Sequence, residues 1–70
     1  MTHAAHLKQL RNAATFQTNH ADELQSEVQS GQATNYEIRQ GFEPGYIAQL
    51  VQDLRNDAQR LNQKANELEK

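Results

Sequence analysis

The chain has no cysteine, no tryptophan, one proline and three glycines in 70 residues. Without cysteine there is no disulfide, no thiolate nucleophile and no Cys-based metal site. That lack suits a reducing compartment, and a cytoplasmic location is expected. Charge of one sign is also missing: seven Lys and Arg against nine Asp and Glu give −2, mixed along the chain. No basic footprint for nucleic acid or anionic lipid results. No apolar run approaches the roughly 18 residues that span a bilayer, and the amino terminus lacks a secretory apolar core. No membrane partner is therefore expected. Apolar residues are 36% of the sequence, below the usual ~45–50% of globular domains. A single domain this small then has a narrow core, or takes part of its core from another subunit.

What is present is helical periodicity. The proline and all three glycines lie between Gly31 and Gly45, which leaves both flanks free to run as helices. On the first flank the apolar positions are Leu7, Leu10, Ala14, Ala21, Leu24 and Val28, with Gln17 in the one missing slot and His3 extending the register backward. On the second they are Ile47, Val51, Leu54, Ala58, Leu61, Ala65 and Leu68. Steps of three and four alternate on both, which is the period of a coiled-coil seam. Ten Gln and six Asn fall at outward positions and read as a neutral, solvated helix surface rather than low complexity.

The expected fold is all-α, a single antiparallel helical hairpin over residues 1–70. Its first helix covers about 2–30, since the apolar register passes unshifted through the weak formers Thr15, Thr18 and Asn19. A connector over 31–44 follows, with a short helical turn. Gly31 ends the first helix as a left-handed cap. Thr34 and Glu37 have capping-box spacing for the turn, and Gly41 closes it. Pro44 suits the first turn of a last helix over about 45–70. In the antiparallel pairing, Val28 meets the level of Ile47 and Val51, and Leu7 meets Leu68. Alanine at alternate seam positions lets the two backbones approach closely, which resembles the packing of Rop-type helical hairpins.

Such a hairpin has little apolar surface to bury by itself, because four of its thirteen apolar seam residues are alanine. It is expected to dimerise into a four-helix bundle, as a homodimer, or to dock on another helical protein. The candidate contact residues are Ala13, Phe16 and His20 beside the first seam, Leu50 beside the second, and Tyr36, Ile38, Phe42 and Tyr46 in the connector. Phe16 points away from the hairpin seam, as an interface anchor does, or it covers a groove within its own chain. The connector aromatics either plug the open end of the hairpin or form an exposed recognition patch. Gln17 in the seam reads as a register-fixing polar residue.

Catalysis is not expected. The carboxylates of Asp22, Glu23 and Glu27, and of Asp53 and Asp57, cluster on helix surfaces where nothing buries them, and a hairpin leaves no room for a ligand-sized pocket. No cofactor is implied. His3 and His6 could hold two corners of a metal site, and His3 an amino-terminal copper site were Met1 retained, yet no third ligand lies near in sequence, so no metal is assigned. A helix-turn-helix reading places Gly45, Tyr46, Ile47 and Ala48 at the start of the recognition helix, which is a poor groove reader. A dimeric helical-bundle regulator of nucleic acid is the competing class. The leading expectation is a non-enzymatic interaction module: a small adaptor, chaperone or inhibitor.

One stretch, Gly31-Gln-Ala33-Thr-Asn-Tyr36, resembles the glycine-to-aromatic turn of the small hairpin chaperones that guard needle subunits in type III secretion. That resemblance implies a heterodimeric co-chaperone whose outer helix face binds a second helical protein. The Phe42-Glu-Pro44-Gly45 break departs from those chaperones, which run straight into their second helix.

Overall fold

A computed structural model describes residues 2–69. Three helices follow in order: α1 (Thr2–Ser30), α2 (Gln32–Gln40) and α3 (Tyr46–Glu69), with no strand among the described residues. The long helices α1 and α3 pack side by side, and α2 turns aside at one end. The body is a rod of 48 × 18 × 14 Å.

The seam is a ladder of alanines. Ala14, Ala21, Ala58 and Ala65 are buried, with Ala21 and Ala65 at zero exposure, and Val51 and Ile47 continue the row toward the connector. Side chains this small let two backbones approach until almost no solvent reaches between them. The leucines Leu7, Leu10, Leu24, Leu54, Leu61 and Leu68 are only half-buried, and no large side chain among the described residues is fully enclosed. Cross-helix contacts set the direction and level. Arg11 on α1 ion-pairs with Glu69 and donates to Asn66 Oδ1 at 3.1 Å, while Arg55 on α3 pairs with Asp22 at 3.0 Å. Low numbers on α1 thus meet high numbers on α3, so the two helices are antiparallel.

The connector corrects two expectations. Thr34 and Glu37 do not form a capping box, because α2 already starts at Gln32, with Gly31 at its N-cap and no side-chain cap. Gly31 has φ 88° and its amide donates to Val28 O; the Ser30 hydroxyl donates to Glu27 O and accepts from the Gln32 amide. Pro44 is not in the first turn of α3 either. It lies before Gly45 in a β-turn, closed by the Tyr46 amide donating to Glu43 O at 3.1 Å, and the following glycine has φ 88°. Proline then left-handed glycine is the type II pattern.

The end of α2 is a Schellman motif. Gly41, at φ 75°, donates to Ile38 O, and Phe42 donates to Glu37 O at 2.9 Å. The accompanying apolar contact is Phe42 against Tyr36, ring centres 5.9 Å apart. Glu37 itself is 5% exposed, and its carboxylate crosses to the start of α3, where it accepts from the Ile47 amide at 2.7 Å and from the Gly45 amide at 3.3 Å. These amides lack partners within the helix, and the helix dipole favours an anion there. The α2–α3 junction is thereby fixed by one carboxylate.

Candidate apolar interface

The hairpin has two different sides. Seen from the alanine seam, Arg11, Asp22, Arg55, Asn66 and Glu69 all lie on one flank, where they bridge the helices. Leu10, Gln17 and Leu24 on α1, and Leu54, Leu61 and Leu68 on α3, fall on the opposite flank. A right-handed helix turns about 100° per residue, which puts a residue four before an alanine on one side and three before it on the other. The antiparallel pairing makes those sides coincide for both helices. One face is therefore laced by charge, while the other carries a double row of half-buried leucines.

At the connector end the leucine face deepens into a groove of about 620 Å³, open to solvent. Leu24, Ile47 and Leu50 contribute its floor, Ala33, Tyr36, Phe42 and Tyr46 its end wall, and His20, Glu27 and Arg39 its polar rim. The expectation of no ligand-sized space is thus corrected: residues of α1, α2 and α3 together line an open space at this end. The groove lies within the ~300–1,000 Å³ range of small-molecule sites but lacks their enclosure. An open apolar trough suits side chains from another helix.

Six of the eight candidate contact residues are on this surface. His20, Tyr36, Phe42, Tyr46 and Leu50 line the groove, and Phe16 joins it through His20, ring centres 6.4 Å apart. Phe16 is 72% exposed, so it does not cover a groove of its own chain. Phe42 also stacks on Tyr46 at 4.7 Å, making a row of three rings, all partly exposed. They are a patch; the residues that close this end of the hairpin are Ala33, Glu37 and Ile47. Ala13 is half-buried one turn before Phe16 and Gln17. Ile38 is separate: it is 72% exposed on the side of α2 away from buried Ala33 and Glu37, and it does not line the groove.

Gln17 is the polar exception in the leucine rows. Its Oε1 is buried and has no hydrogen-bond partner in the chain. Sequence reasoning missed the groove residues Leu24 and Ile47, which the seam pattern treats as pure hairpin core, and it missed the role of Glu37.

Among the described residues no helix is long and apolar enough to cross a membrane, and no group of three His, Asp or Glu side chains could hold a metal ion. Comparison of the chain with protein-family models, with curated proteins and with solved structures gives no match.

Proposed function

We propose that this chain is a non-enzymatic interaction module that works by helix–helix packing, in a reducing cytoplasm where a fold without disulfides loses nothing. The observation that carries the reading is the leucine face with its aromatic groove. Half-exposed leucines and a row of three rings form one continuous apolar surface, rimmed by His20, Glu27 and Arg39. Apolar patches of this kind on small proteins mark binding sites, and an amphipathic helix laid in a groove is a common way to fill one. The one buried carboxylate among the described residues, Glu37, is engaged by two backbone amides and is not offered to a substrate.

Affinity capture tests the reading. Immobilised wild-type chain should retain a helical protein, its own second copy included, and the retention should withstand added salt because apolar contacts are not screened. The Phe16→Ser/Tyr46→Ser double variant should keep its helical circular dichroism and lose most of what it captured. Retention of nucleic acid that elutes steeply with salt would favour the regulator class instead.

A further inference from the structure

The leucine face is self-complementary, and we infer that its occupant is a second copy of this chain, placed by a two-fold axis that passes at the level of Gln17. This rests on the interaction-module reading and names its partner.

Area supports it. A compact protein of 8.0 kDa exposes about 4,500 Å² by surface scaling, whereas this rod exposes 5295 Å². The excess, on the order of 800 Å², matches one partner's share of a standard interface. The leucines left half-buried by the hairpin are what such a contact would enclose.

Pattern selects the arrangement. The outward leucine face reads Leu10, Gln17, Leu24 along α1 and Leu68, Leu61, Leu54 at matching levels along antiparallel α3. Gln17 and Leu61 occupy the middle layer. An axis perpendicular to the helices through that layer lays α1 antiparallel on the partner's α1, and α3 on the partner's α3. Leu10 then meets the partner's Leu24, and Leu54 the partner's Leu68. Gln17 meets the partner's Gln17, so each side-chain amide can donate to the Oε1 that has no hydrogen bond within one chain. The first turns of the partner's α1 pass over the groove.

Charge agrees. Flanking these rows, Asp57 comes level with the partner's Lys64, and Glu27 with the partner's His6. The other two-fold arrangement, with the axis along the helices, lays α1 over the partner's α3. It sets Ala13 against the partner's Lys64 and Glu27 against the partner's Leu50, and leaves Gln17 facing leucine. It also sets His20 against the partner's Asp57, but it leaves Lys64 without an acid, whereas the first arrangement gives both Lys64 and His6 an acidic partner.

The test uses full-length chains in sedimentation equilibrium. Wild type should show twice the 8.0 kDa chain mass and should dissociate on dilution. Asp57→Lys and Lys64→Asp each set like charges against each other twice, and each should weaken its own dimer roughly tenfold. An equimolar mixture of the two variants pairs opposite charges at all four positions. It should recover dimer and form predominantly heterodimer by native mass spectrometry. A monomer at every concentration overturns the inference, as does a mixture no tighter than its parts. If the monomer nevertheless captures a helical protein through Phe16 and Tyr46, the interaction-module reading survives alone. If nothing binds at all, both fall.

Discussion

The Glu37 carboxylate accepts the Ile47 amide at 2.7 Å, so a side chain on α2 caps the helix that follows it in the chain. The same residue offers its carbonyl to the Phe42 amide, and both ends of the five-residue link between α2 and α3 are held by it. Removing the side chain leaves the buried Ile47 amide and the part-buried Gly45 amide without this partner.

Glu37→Ala should therefore lower stability by about 1–3 kcal/mol, and the melting temperature by roughly 4–8 °C per kcal/mol for a chain of this size. Glu37→Gln keeps an acceptor oxygen but loses the charge at the helix start, and should fall between Ala and wild type. Thermal melts by circular dichroism give the ranking. Proteolysis should localise the damage to residues 41–45. A melt unchanged in Glu37→Ala would show that the capping geometry contributes nothing.

The alanine seam predicts the opposite kind of failure. Ala21→Leu inserts three heavy atoms where the helices meet with zero exposure, and forcing them apart should cost about 1–3 kcal/mol. Ala5→Leu, on an exposed position of the same helix, should be near neutral. The pair compares identical chemistry at two depths, and equal melting temperatures would refute close helix approach.

The left-handed glycines separate backbone cost from packing cost. At Gly31 and Gly41 an added Cβ meets nothing within 4 Å, yet φ is 88° and 75°. Gly41→Ala should cost about 1–2 kcal/mol through conformation alone. D-alanine at the same place, made by chemical synthesis, should stabilise instead, because it prefers positive φ and restricts the unfolded chain. Opposite signs of the two melting shifts are the expected result.

Much of this was legible in the sequence because helical period is a local property. Leu7 to Val28 and Ile47 to Leu68 announce two helices and a shared seam, and the exposure of Phe16 follows from its place off that seam. Glu37 shows where local reading stops. Its spacing from Thr34 fits a capping box, but the amides it satisfies lie eight and ten residues ahead, reached only once Gly41 and the Pro44–Gly45 turn reverse the chain. The groove was hidden for the same reason. Its shape depends on the direction of α2, which left-handed caps at Gly31 and Gly41 set. A one-dimensional pattern gives no vector for that helix.

The cross-helix ion pairs should matter little. Arg55 and Asp22 are 40% and 61% exposed at the side chain, Arg11 and Glu69 41% and 47%, so water screens both. Arg55→Met should change stability by no more than about 1 kcal/mol, and 1 M salt should erase the difference from wild type. A large, salt-resistant loss would mean that the charged face, not the alanine seam, holds the helices in register.

Gln17→Leu is the most discriminating substitution, because it separates stability from orientation. The oxygen that lacks a partner within one chain is met in the dimer by the second Gln17, and leucine on both chains replaces that polar pair with apolar contact and extends the apolar row. The melting temperature should therefore rise. A polar residue in an apolar seam earns its place by penalising arrangements that leave it unpaired, and its loss frees the two copies to pack in either two-fold sense. The variant should thus form a tighter dimer with weaker pairing rules. Placed in the Gln17→Leu background, Asp57→Lys and Lys64→Asp chains should lose much of their preference for one another over themselves. A variant more stable than wild type with that preference intact would mean that charge alone sets the orientation; a less stable one would mean that the Gln17 pair contributes more to the dimer than the leucine contact that replaces it.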